Sequence, residues 1–215
     1  MAQATANASL LSVSGVTGLV VTVGEGGRII HHEGDVYHAR HMPSPITATL
    51  RAVHVESTTC AWAVGDGVVL RWDGSSWRSL PMLPTERLCA VWSHPDTGAW
   101  VAGKGVLLHY GADGSGPTLF TSDVGAVAIW GTGPNDITFL VDGRAVMHWT
   151  DGRCDAEPLP GDDGEEWVAL AGSGPDEPMF IVGPPDFCME RTKLGWFEMS
   201  TYSDHRANAA CSRWA

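Results

Sequence analysis

One phrase returns along this chain at a nearly constant interval, and that periodicity restricts the fold more than any other feature. Its clearest copy is residues 61–77, AWAVGDGVVLRWDGSSW. Further copies are AWVAGKGVLLHYGADG from Ala99 and ITFLVDGRAVMHWTDG from Ile137. A degenerate copy runs from Val20 to Gly34, and an eroded one from Met179 to Trp196. Each copy follows a second element, in which Ser12, Ala52, Ala90, Ala128 and Ala169 are equivalent, at spacings of 40, 38, 38 and 41. In the later element His32, Trp72, Tyr110, Trp149 and Arg191 are equivalent, at 40, 38, 39 and 42. Two anchors that keep step over the whole chain mark a repeated supersecondary unit.

Within a unit the residues read as four short strands, here called a to d. Strand a is the AVW element, b is AWAVG, c is VVLRW, and d follows the Asp-Gly turn, as in Ser76–Leu80. β-Branched and aromatic residues fill the runs, and Gly, Asp and Pro separate them. No segment carries a 3.6-residue apolar period, so no helix longer than a turn is expected. Four strands in about forty residues, repeated, is the signature of a propeller blade. The expected fold is all-β: a small β-propeller of about five four-stranded blades. Residues 1–215 form one such domain, with units at about 12–50, 51–88, 89–126, 127–167 and 168–215. Ala209–Trp214 looks like one more copy of strand a. Ten Trp against three Tyr and five Phe calls for a repeated slot that takes an indole. Trp62, Trp72, Trp92, Trp100, Trp130 and Trp149 are expected in the core between blades.

These repeats resemble a bacterial family of propeller repeats with the pattern WAVGxGGxILxWDGxxW, related to the BNR-like repeats of the photosystem II assembly factor class. Residues 24–30, GEGGRII, and 61–67, AWAVGDG, carry the likeness best. Asp73-Gly74-Ser75-Ser76-Trp77 is similar to an Asp-box turn but lacks the residue between Asp and Gly. What the resemblance implies is the fold; it does not carry an activity.

The chain has 13 Lys and Arg against 25 Asp and Glu, a formal net charge of −12. Phosphate binding needs clustered basic residues, so nucleic acid is not an expected partner. The five cysteines, Cys60, Cys89, Cys154, Cys188 and Cys211, are odd in number and show no CxxC spacing. Buried free thiols in a reducing, cytoplasmic setting fit them better than a disulfide framework. The N-terminal stretch has no Lys or Arg before Arg28 and no run long enough to span a bilayer, so neither a secretory signal nor a membrane partner is expected.

No nucleophile elbow, P-loop or dinucleotide fingerprint occurs. No catalytic residues, metal or cofactor are expected. His31, His109 and His148 share one repeat slot but lie on different blades, so one ion could not gather them. In propellers of this kind the b–c turns share a face with the d–a connections. Glu25, Asp66, Asp142 and Asp186 belong to those turns, and the acidic run Asp162, Asp163, Glu165 and Glu166 to a connection. Lys104, Arg144, His41, Glu86, Arg87 and Asp123 lie among them. The face is expected to be net negative and to bind a partner. The expected function is therefore a non-enzymatic binding module or scaffold that engages another protein, one with a basic surface, through propeller loops. The alternative is a lectin-like, carbohydrate-binding propeller. Strong divergence between blades counts against it, since Trp77 has no aromatic counterpart in the Tyr110 repeat, where Gly114-Ser115-Gly116 follows.

Overall fold

The computed structural model describes residues 8–34, 38–83, 87–121, 124–141, 144–159, 167–172, 179–183, 187–192 and 195–199. Among these residues twenty strands build five four-stranded antiparallel sheets, each in consecutive order. Blade 1 holds β1 Leu10–Val16, β2 Leu19–Gly24, β3 Ile29–Glu33 and β4 His38–His41. Blade 2 holds β5 Leu50–Ser57, β6 Cys60–Gly65, β7 Val68–Trp72 and β8 Trp77–Ser79. Blade 3 holds β9 Leu88–His94, β10 Gly98–Gly103, β11 Val106–Tyr110 and β12 Thr118–Thr121. Blade 4 holds β13 Ala126–Gly133, β14 Asp136–Val141, β15 Ala145–Thr150 and β16 Arg153–Pro158. Blade 5 holds β17 Ala169–Gly172, β18 Met179–Gly183, β19 Phe187–Thr192 and β20 Gly195–Met199. Among the described residues the helical content is one 3-10 turn, Glu25–Gly27, and no helix is long and apolar enough to cross a membrane.

The chain divides into two compact units, Met1–Gly103 with Leu108–Phe120, and Lys104–Leu107 with Thr121–Ala215. In the first, β1 packs along β5 and β5 along β9; in the second, β13 packs along β17. Side chains tie the first set together. The backbone N–H groups of Val53 and Val55 donate to Ser12 Oγ (3.2 Å) and Ser14 Oγ (3.0 Å). His54 Nδ1 accepts the backbone N–H of Ser93 at 3.1 Å and lies 2.9 Å from Ser93 Oγ.

Within the units, the seams between blades 1 and 2, 2 and 3, and 4 and 5 are filled by reciprocal sets of side chains. The residue in the His31 slot pairs across its own sheet with a residue of strand b: His31 with Val21, Arg71 with Trp62, His148 with Thr138. That pair faces the next blade. In the blade 1–2 seam, small Val21 leaves room for two indoles, Trp72 edge-on to His31 at 4.7 Å and Trp77 at 6.0 Å. In the blade 2–3 seam Trp62 itself fills the space, 5.8 Å from Tyr110 and under the Arg71 guanidinium at 5.6 Å. Blade 3 carries no second aromatic there; the space beside Gly114 is taken by Leu80 and Arg71. Tyr110 donates its hydroxyl to Pro81 O at 2.9 Å, and burial pushes its pKa up to about 12. In the blade 4–5 seam, Thr138 is again small, and Trp196 again follows in strand d of the next blade.

Of the six indoles expected in the core, Trp62, Trp72, Trp92 and Trp100 are buried. Trp130 and Trp149 are only half-buried; the Trp130 ring lies over Gly172, where a Cβ would collide with it. The thiols depart from expectation too. The four described cysteines are free, but Cys154 is exposed and the others are half-buried, because they sit at strand ends or on outer strands. Ala209–Trp214 and Cys211 lie outside the described residues.

The glycine that ends strand b has a packing cause. Strand a carries a one-residue bulge at its second position, Leu11, Arg51, Cys89 and Val127 in blades 1 to 4. The bulge turns the preceding backbone toward strand b. A Cβ at Gly24, Gly65 or Gly103 would run into the carbonyl of Ser9, Thr49 or Arg87 respectively. In blades 1 and 2 that carbonyl accepts the N–H of the residue after the glycine, Glu25 or Asp66, at 3.0 Å.

Two stability measurements follow. Gly65→Ala should cost about 2 kcal/mol in urea denaturation, the scale of forced overpacking. Gly133→Ala, where a Cβ meets nothing within 4 Å, should stay within about 0.5 kcal/mol of the parent. For acid, burial lowers the His54 pKa from 6.5 to about 4. The unfolded chain thus takes up this proton first, and stability falls as pH drops from 6.5 toward 4, levelling below. At about 1.4 kcal/mol per unit, discounted for a partly exposed ring, the loss is about 2 kcal/mol. His54→Gln should lose correspondingly less between pH 7 and 4.5 in thermal melts.

Candidate functional site

The b–c turns and the segments that enter strand a meet at one end of the blades, as the glycine packing requires. In the first unit this end carries Glu25 and Asp66, two of the eight acidic residues expected to bind a partner. Asp142, Asp162, Asp163, Glu165, Glu166 and Asp186 lie outside the described residues, as do Glu86 and Asp123.

Neither described acid is a free charge. Glu25 opens a 3-10 turn in which Gly26 takes φ 67°, a left-handed conformation that favours glycine. Its Oε2 accepts the backbone N–H of Ser9 at 2.9 Å, and Arg28 Nη1 donates to Ala8 O at 3.0 Å. Both side chains therefore hold the segment leading into β1. Asp66 is clasped by Arg51, with Nε to Oδ1 at 2.6 Å and Nη2 to Oδ2 at 3.0 Å. The pair is partly open, at 24% and 38% side-chain exposure. Hydrogen bonding to Arg51 holds the Asp66 carboxyl below its ordinary range, and Arg87 adds to the effect. Cys89, next to this pair, is pushed up by burial against the opposing pull of Arg87 and Arg51.

The face was expected to be net negative. In its described part in the first unit three arginines, Arg28, Arg51 and Arg87, stand beside the two acids Glu25 and Asp66. Sequence reading missed the Arg51–Asp66 clasp, although its signal was present. Arg51 is the bulge residue of strand a, and Asp66 directly follows the glycine that packs on that bulge. Chemically, a carboxylate locked to a guanidinium is a poor general base near neutral pH, and a thiol pushed up by burial is a poor nucleophile. Among the described residues no group of three His, Cys, Asp or Glu is placed to hold a metal ion.

Two other polar places have definite geometry. In the blade 4–5 seam, Thr138 Oγ1 lies 3.0 Å from His148 Nδ1, and His148 Nε2 lies 3.5 Å from Glu157 Oε2. The string has the connectivity of a proton relay. Thr138 is only 2% exposed, however, and Glu157 also takes two bonds from Arg191 and one from the Trp196 indole. No substrate reaches that hydroxyl. In the blade 1–2 seam a cavity of about 260 Å³ opens between Met42–Pro45 and Ser75–Trp77. Its c–d turn is fixed by Asp73 Oδ1, which accepts Ser75 N, Ser76 N and Ser75 Oγ. These bonds, led by the Ser75 hydroxyl, hold the Asp73 carboxyl well below the usual range.

Arg51→Met should return the Asp66 carboxyl to ordinary titration, read from its carboxyl-carbon shift by NMR. The stability cost should stay below about 1 kcal/mol, as for partly exposed pairs.

No family model matches the sequence, and no curated protein matches it. Solved structures do resemble the fold. A streptogramin B lyase structure superposes with a TM-score of 0.76 at 16% identity, covering 94% of this chain and 72% of that one. YCF48 bound to D1 peptide gives 0.69 at 11% identity, covering 92% and 69%. The nidogen/laminin complex gives 0.72 at 9% identity, covering 93% and 83%. At such identities the likeness is one of fold alone: this chain is a β-propeller with five four-stranded blades.

Proposed function

We propose that this chain is a non-enzymatic scaffold that binds another protein through the loops at the b–c end of its blades. The observation that carries the reading is the fixed state of that end. Glu25, Arg28, Arg51 and Asp66 are each bonded to backbone or to one another, so the turns present a preformed surface of defined charge. A preformed surface loses little side-chain freedom on binding. Two similar structures, YCF48 bound to D1 peptide and the nidogen/laminin complex, include a peptide or protein partner and lend support. We assign the preference for a basic partner to Asp162, Asp163, Glu165 and Glu166, since among the described residues of this end Arg and Lys outnumber the acids. Free cysteines support the reducing setting in which we place it.

A carbohydrate-binding propeller is the second reading, and the seam cavity beside Trp77 is what favours it. Sugar stacking needs an open aromatic face, however, and Trp77 is 5% exposed.

Affinity capture from the native source separates the two readings. The parent should retain a specific protein that elutes with salt. Asp162→Asn, Asp163→Asn, Glu165→Gln and Glu166→Gln combined should weaken capture and flatten its salt dependence while the fold persists. Capture that ignores these changes at low salt, or release by a free sugar, refutes the proposal.

A further inference from the structure

Three strand-c histidines sit in equivalent slots, but they differ in what their partners can do with a proton. His148 faces the Thr138 hydroxyl, which can turn to accept, and the Glu157 carboxylate. His109 lies against the Trp100 ring at 4.7 Å. His31 is fully buried, and its Nε2 accepts the Trp77 indole N–H at 3.0 Å. An indole nitrogen donates and never accepts. The ring therefore carries its proton on Nδ1, toward Glu33 Oε1 at 3.6 Å.

We propose that His31 is an acid-operated latch: protonation at Nε2 expels the Trp77 indole and widens the seam cavity between Met42–Pro45 and Ser75–Trp77. With both nitrogens protonated, two N–H donors face each other at hydrogen-bond distance. Neither side can reverse, because an indole nitrogen has no lone pair to offer. Trp77 is free to yield because it begins the three-residue strand β8 and forms one wall of the cavity. The His31 ring, by contrast, is held in the middle of β3, between Val21 and Arg40.

The charges around the ring set the range of the latch. Burial is the largest influence and keeps the ring neutral at pH 7. Glu33 on the same strand opposes it, while Arg40 on β4 and the neighbouring His32 reinforce it. His38 stands opposite Glu33 across the hairpin, and blade 2 contributes the indoles of Trp72 and Trp77. The latch therefore opens below the ordinary imidazole midpoint of 6.5.

The test is a pH series of ¹H–¹⁵N spectra on the full chain, with the Trp77 indole signal assigned by its loss in Trp77→Phe. In the parent, exchange of that indole proton should quicken at least about tenfold and its shift should move as pH falls below 6.5, while near-ultraviolet circular dichroism still reports a folded chain. In His31→Gln, whose amide oxygen accepts the indole at every pH, neither change should occur. A Trp77 signal constant until the fold itself is lost, or an identical response in His31→Gln, overturns the proposal. Trp77→Phe gives a reading independent of the Gln variant's folding. Removing the donor should raise the His31 midpoint, followed at its ring carbon-bound protons, and an unmoved midpoint overturns the latch equally.

Discussion

Sheets stacked face to face leave a space between them that must be filled without voids, and in this chain the filling is shared between two blades. A small residue in strand b, Val21 or Thr138, coincides with a tryptophan at the start of strand d in the following blade, Trp77 or Trp196. A large residue, Trp62, coincides with a following blade that has glycine beside its c–d turn. A bulky ring fills the seam in either case, while the blade that supplies it changes. Protein interiors tolerate changes that keep volume far better than changes that do not. Each buried indole contributes several kcal/mol through its area alone.

The seams also dispose of polar groups that such packing would strand. Arg71 reaches across to Ala112 O at 3.0 Å while its plane covers Trp62. Trp72 Nε1 donates to Thr58 O at 3.1 Å. Ser12, Ser14 and Ser93 supply bonds from one strand a to the next. Arg71 and the strand-a serines thus bond across the seams, which aligns the first three sheets along one another, while Trp72 is satisfied within its own blade. The turns that carry Glu25 and Asp66 are anchored to the sheets by bonds of the same kind.

The repeat, the four-strand grammar and the strand starts were legible because they recur at one interval, and a periodic signal survives the loss of any single residue. The seams were not. Trp77 and its missing counterpart after Tyr110 read as erosion when copies are aligned slot by slot. They become order only when strand b of one blade is set beside strand d of the next, residues that share no position in the repeat. The Arg51–Asp66 clasp was missed for a similar reason. A count of acids at turn positions does not register that Arg51, placed by a bulge in another strand, lies against Asp66. Composition reports how much charge a chain has, and bonding geometry decides how much of it is free.

Seam reciprocity bears on how such a chain can be inherited. A blade copied whole would bring one half of each seam and meet a neighbour fitted to something else: Trp77 against Trp62, or Gly114 against Val21. Two adjacent slots on different blades have to change together, so the heritable module is the pair of facing surfaces rather than the forty-residue unit that the eye picks out. Loops carry no such obligation. Blades of this kind can therefore drift quickly in what they present to the outside while their neighbours hold them to a slow, paired substitution within.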